Sequence, residues 1–150
     1  MQDEIRIIKP QSGHFAGWRR MFEGYNEFYK VTYTDEKAER LWSWLMDPNH
    51  VCEALIAVTP NDDVVGLAHF REMPRPLHAA VAGFLDDLYV NPQFRQHHIG
   101  QRLIDHISEL GRARGWQVVR WLTADNNYRA RGLYDQCATR TGWLTYEIKL

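Results

Sequence analysis

The stretch Leu88-Tyr89-Val90-Asn91-Pro92-Gln93-Phe94-Arg95-Gln96-His97-His98-Ile99-Gly100-Gln101-Arg102-Leu103 changes character midway, and that change decides how the chain folds. Its first residues complete a run from Gly83 to Val90 that predicts a strand, ended by Asn91-Pro92. From Ile99 onward, Ile99, Leu103, Ile107 and Leu110 recur at the helical period, which predicts a helix over 99–114 stopped by Gly115. At such a strand, turn and helix junction, the first helical turn carries N–H groups with no internal partner, under a dipole that favours anions. Arg95 adds a positive charge just ahead of it. On these features alone the turn either holds a pyrophosphate or is plain connective structure. It has neither the Gly-Lys-Ser/Thr ending of a P-loop nor the three-glycine dinucleotide fingerprint.

Outward from this junction, the second half of the chain alternates. Val118 to Thr123 reads as a strand, Asn127 to about Thr139 as a helix, and Trp143 to Leu150 as a closing strand. Toward the N-terminus, Ile5 to Ile8 reads as a short strand. Phe15, Trp18, Phe22, Tyr25 and Tyr29 mark one helical face, and Ala38, Leu41, Trp42 and Leu45 a second, capped at Thr34 or Asp35. Ala54 to Val58 and Val64 to Phe70 flank Pro60-Asn61-Asp62-Asp63, a hairpin composition, and Met73-Pro74-Arg75-Pro76 reads as a loop. The order predicts an α/β or α+β sheet domain with helices packed against it. No repeat or linker divides the chain, so 1–150 reads as one domain.

The 150 residues suffice to bury a core without disulfides, and 45% apolar with 25% charged residues is ordinary globular composition. No run approaches the roughly 20 apolar residues of a membrane span, and MQDEIRIIKP lacks a signal-peptide core, which predicts a cytoplasmic protein away from the membrane. A net charge of −1 supplies no pull toward nucleic acid. Cys52 and Cys137 stand far apart and read as packed thiols, and no metal-ligand spacing is present.

Asp87-Leu88-Tyr89-Val90-Asn91-Pro92, followed by Arg95, Gly100 and an amphipathic helix, resembles motif A of the Gcn5-related N-acetyltransferases (GNAT). In that family the turn is usually Arg/Gln-x-x-Gly-x-Gly/Ala; here His98 stands at the first glycine, and Gln96 where many members carry another. Asn126-Asn127-Tyr128-Arg129-Ala130-Arg131-Gly132-Leu133-Tyr134-Asp135 resembles motif B, and Gly142 to Ile148 resembles the last strand of the polyamine and small histone acetyltransferase branch.

The resemblance implies a mixed central sheet flanked by helices, acetyl-CoA as cofactor, and direct acetyl transfer to a primary amine. The acceptor would be a small or polyamine-like amine, or a protein lysine or N-terminus. It implies that the backbone of Leu88, Tyr89 and Val90 pairs with pantetheine, and that Arg95 with the amides of Gln96, His97, His98, Ile99, Gly100 and Gln101 holds the pyrophosphate. Asn127, Ala130 and Tyr134, at offsets that share one helical face, would meet the cofactor, with Tyr134 as general acid. Asp86 is the first choice of base, since its position matches an acidic residue of the polyamine branch. Asp87, which strand alternation sends to the opposite face, His69 and His78 remain alternatives.

Glu23, Glu27 and Tyr29, with Tyr25 and Tyr33, form either a pocket for a cationic acceptor or a solvated helix edge. Pairing of closing strands, with Trp143 and Tyr146 at the edge, predicts a homodimer. A second class of function is an acyl-CoA-binding sensor or assembly module without turnover. His98 favours it, and Tyr134 argues against it.

Overall fold

A computed structural model describes residues 4–95 and 97–150. Gln96, expected among the pyrophosphate ligands, lies outside the described residues. The elements are β1 (Arg6–Ile8), α1 (Phe15–Phe28), α2 (Asp35–Met46), β2 (Cys52–Val58), β3 (Val64–Arg75), β4 (Ala80–Val90), α3 (Ile99–Arg114), β5 (Val119–Trp121) and α4 (Tyr128–Cys137). The strands form one sheet in the order β1-β2-β3-β4-β5, antiparallel except for the parallel pair β4 and β5.

The sheet is covered on both faces, which is why β2 reads as an unbroken apolar run. Leu55 and Ala57 join the cluster under α3, with Leu103 and Ile107, while Ala54, Ile56 and Val58 join Trp18, Phe22, Ala38 and Leu45 of α1 and α2. Thr34 caps α2 by accepting from Lys37 N–H at 3.1 Å. At the end of α3, Gly115 takes a left-handed φ of 79° and turns Trp116 back under the helix. There the indole fills the space beside two glycines: an added Cβ would stand 2.2 Å from it at Gly83 and 2.7 Å at Gly111.

Three expectations need correction. Met73-Pro74-Arg75 is strand, paired as far as Arg75 with Ala80. Because β2 ends opposite Arg71, the far side of β3 there is an open edge where a proline breaks no ladder. Residues 138–150 form no strand; Trp143, Tyr146 and Ile148 are 81%, 88% and 88% exposed. Alternation of apolar residues alone does not make a strand, since its backbone needs a partner edge. Of the thiols read as packed, Cys52 is half-buried and Cys137 exposed.

Candidate active site

The central feature is a split in the sheet. β4 pairs with β5 only from Gly83 opposite Val119 to Leu85 opposite Trp121, although β4 runs on to Val90. From Asp86 to Val90 the strand is held on one side only, by β3. The main-chain groups of Leu88, Tyr89 and Val90 on the other side therefore border a cleft, available to an added extended segment.

A bulge aims the side chains here. The register steps from Asp87 opposite His69 to Leu85 opposite Phe70, leaving Asp86 as the extra residue of β4. Simple alternation expects Asp86 and Asp87 on opposite faces. In the structure they share the α1 face, because their partners Arg71 and His69 lie two apart on the unbulged strand. They nevertheless diverge. Asp86 is exposed and pairs with Arg71 at 3.0 Å, outside the pocket described next. Asp87 meets His69 Nδ1 at 2.8 Å. His69 is 1% exposed, and its Nε2 accepts from Trp18 Nε1 at 2.9 Å. An indole nitrogen only donates, so Nδ1 carries the ring proton that is given to Asp87.

Asp87 lines a pocket of about 550 Å³ at the split, walled by Phe22, Tyr25 and Asn26 of α1, Tyr29 and Val31 just past its end, Lys37 of α2, and Leu122 to Ala124 beyond β5. Burial and the neighbouring Asp87 charge push the Tyr25 phenol up. Tyr29 and, least of the causes, Tyr134 add to that rise; Tyr29 lines the pocket with Tyr25 and Asp87, and Tyr134 does not. Tyr134 projects from α4 edge-on to Trp121, and burial raises its pKa to about 12. It holds its proton throughout the neutral range.

Of the proposed acceptor residues, Tyr29 joins the pocket and Glu23 does not: Glu23 is exposed and pairs with Arg19 at 3.2 Å. Glu27 is exposed and lies near the Tyr89 phenol rather than in the pocket wall. Tyr33 binds Arg19 and Asp35. Sequence reasoning missed Asn26 and Lys37, since neither belongs to a motif that marks a site.

On the other face of the sheet, α3 starts beside the same cleft. The N–H groups of Ile99, Gly100 and Gln101 precede the first helical bond, from Arg102 N to His98 O. His98 caps the helix with φ 57°, the left-handed region that explains why a glycine is usual in this turn, and its side chain is exposed. At Gly100 an added Cβ would meet only Leu133 at 3.7 Å, Leu88 at 3.9 Å and Val90 at 4.0 Å. Those are ordinary contacts, so internal packing does not demand a glycine, and the backbone there is left bare enough for a ligand to approach closely. Arg95 and His97 are half-buried in the turn, and no carboxylate pairs with Arg95 among the described residues. Asn127 caps α4 through Ala130 N and reaches Thr123 at 3.4 Å; with Ala130 and Tyr134 it lies on the half-buried side of α4. An open strand edge, an anion-ready helix start and a bare glycine fit coenzyme A.

Residues 18–138 match the family described as Acetyltransferase (GNAT) family. The chain is 26% identical over 144 residues to a D-amino-acid N-acetyltransferase of Saccharomyces cerevisiae, covering 95% of this chain and 88% of the yeast protein. A ribosomal-protein-alanine N-acetyltransferase from Brucella melitensis biovar Abortus 2308 superposes with a TM-score of 0.79 at 25% identity, over 97% of this chain and 99% of that one. An aminoglycoside N-acetyltransferase solved with CoA shares the fold, with a TM-score of 0.83 at 17% identity, over 97% and 94% of the two chains.

Proposed function

The chain belongs to the GNAT acetyltransferase family, and from that premise we propose that its cleft carries out acetyl transfer to a primary amine between Asp87 and Tyr134. The protein is an acetyl-CoA-dependent N-acetyltransferase with the family's fold. The observation that carries the placement of the reaction is the split between β4 and β5, which opens the Leu88 to Val90 edge toward the start of α3 on one face and toward Asp87 on the other.

Leu88, Tyr89 and Val90 hold the pantetheine arm through their backbone, and Arg95 with the amides of the turn from His97 to Gln101 holds the diphosphate. Asn127 and Ala130 flank the arm from α4. The bound thioester supplies the acetyl group: its carbonyl carbon gains the amine nitrogen as the C–S bond breaks. Asp87 binds the acceptor ammonium and takes its proton, directly or through water. His69 holds Asp87 in place. Tyr134 gives its phenolic proton to the departing sulfur and is reprotonated by the second proton that the nitrogen sheds as the amide forms. Asp87 replaces Asp86 as the base, because Asp86 is turned to Arg71.

The acceptors in the relatives' names, D-amino acids and the alanine of a ribosomal protein, point to a primary amine on a small molecule or a protein N-terminus. We place the whole reaction in one domain of a cytosolic homodimer. No helix among the described residues is long and apolar enough to cross a membrane. The support for a second copy is the uncovered apolar tail of Trp143, Leu144, Tyr146 and Ile148. Light scattering that gives a monomer mass would end the dimer reading.

A panel of amines assayed for acetyl-CoA-dependent thiol release tests the function. Release with at least one primary amine is expected, and tight acetyl-CoA binding without release on any of them would favour a sensor without turnover.

A further inference from the structure

We propose that Lys37 makes the pocket selective for free amino acids, reading the substrate carboxylate while Asp87 reads its ammonium; this rests on the cleft being the acceptor site.

Lys37 sits in the first turn of α2 and lines the same pocket as the Asp87 carboxylate of β4. Its ammonium donates to Asn26 Oδ1 at 2.9 Å and to the Thr32 carbonyl at 2.7 Å. Both acceptors are neutral, and none of the ion pairs among the described residues involves Lys37. Two of its three N–H donors are used, and the third remains for a ligand. Asn26 is 4% exposed and fixed by its own bond to the Phe22 carbonyl at 2.7 Å, so it forms a rigid support for the lysine.

An unpaired cation on a half-buried wall is an unusual choice for a pocket that must hold a cationic amine. Its field opposes any acceptor that is only a cation, such as a polyamine, and favours one that brings its own negative charge. Asp87 of β4 and Lys37 of α2 are the two charged side chains in the pocket lining and are of opposite sign, which matches the two charges of an α-amino acid. The acidic residues at the start of α2 do not cancel the lysine. Asp35 is turned to Tyr33 and Arg19, and neither Asp35 nor Glu36 lines the pocket. Tyr25, Tyr29 and Leu122 leave an apolar wall for the side chain. A peptide N-terminus carries a neutral amide where the free amino acid carries its carboxylate, so the same lysine excludes protein acceptors.

The test titrates the CoA-bound protein with phenylalanine, both enantiomers, and with the matching phenylalaninamides by calorimetry, alongside thiol-release rates for the same compounds. The parent is expected to bind the better amino acid about tenfold more tightly than its amide, the scale of a hydrogen bond between charged groups. Lys37→Gln, which keeps a polar link to Asn26 without the charge, should erase that preference, weakening the acid while binding the amide at least as tightly as the parent does. Lys37→Arg should restore part of it. Equal affinity of the parent for acid and amide would overturn the proposal. So would a Lys37→Gln variant that weakens both ligands alike, since that is the mark of a structural lysine. If no amine at all is acetylated, it is the transferase reading that fails; turnover without carboxylate preference sinks only the role of Lys37.

Discussion

Trp18 Nε1 donates to His69 Nε2 at 2.9 Å, and this contact between a fully buried indole and a buried imidazole determines which way the imidazole serves Asp87. With Nε2 occupied as an acceptor, His69 presents its proton at Nδ1, 2.8 Å from the carboxylate. The helix core thus orients a carboxylate that lines the pocket.

Removing the indole donor should therefore be felt twice. In Trp18→Phe the buried Nε2 loses its partner, a cost of about 1–3 kcal/mol in denaturant unfolding. The imidazole also becomes free to exchange tautomers, visible in ¹⁵N NMR as a mixed His69 signal in place of one Nδ1–H form. A variant that keeps the single tautomer would show that Trp18 does not govern it.

The two neighbouring aspartates should separate cleanly. Asp87→Asn is expected to lower turnover by about 10²–10⁴-fold with acetyl-CoA binding intact, the range for loss of a positioned proton acceptor. Asp86→Asn removes only an exposed ion pair and should change stability by less than about 1 kcal/mol and leave turnover near parental. Steady-state rates of the two variants decide between them, and loss of turnover in the Asp86 variant would return the base to that residue.

Tyr134→Phe should retain acetyl-CoA and lose most transfer. It also has a pH signature. The folded protein holds the Tyr134 proton to about 12, against an ordinary value of 10.0, mainly because the phenol is buried. Its contribution to stability is complete below pH 10 and is lost as pH rises toward 12, since the unfolded chain gives up the proton first. Alkaline unfolding curves should therefore fall less steeply over that interval in the phenylalanine variant than in the parent.

Gly100→Ala distinguishes fold from binding. The new methyl meets nothing closer than 3.7 Å, and alanine suits a helix better than glycine by about 0.5–1 kcal/mol, so the variant should melt no lower than the parent. Its affinity for CoA should nonetheless drop, because the methyl would stand where the backbone must be approached closely. Unchanged affinity would dissociate this turn from the diphosphate.

Gly83→Ala is the converse case. A Cβ there would stand 2.2 Å from the Trp116 ring, which is itself held by its bond to Glu72 at 2.6 Å, so the indole cannot simply retreat. A loss of about 1–3 kcal/mol or more is expected, measurable by thermal melting.

Elements whose apolar residues repeat over several turns could be read directly. Helix α3 runs from Ile99 to Arg114 as its periodicity predicted, α2 begins after its Thr34 cap, and the β4 to α3 junction lies where Asn91-Pro92 and Gly100 placed it. These are local matters, settled by side-chain period, capping chemistry and the limits on proline and glycine, all of which act within a few residues. The motif resemblance also singled out Tyr134 and the turn at Arg95 and Gly100, which stand on α4 and at the start of α3.

What lay beyond local reach depends on partners distant in sequence. The strand expected at Trp143 to Leu150 is absent from this chain because pairing, and not alternation, creates a strand. Asp86 and Asp87 are adjacent residues, and only the bulge against His69 and Phe70 sends one to Arg71 and the other into the pocket. The union of Lys37, Asn26 and Asp87 in one pocket required α1, α2 and the split sheet to be assembled first. A sequence states which groups are available and how its short segments curl. Which of those groups face one another is a property of the packed whole, because the contacts that aim them join residues tens of positions apart.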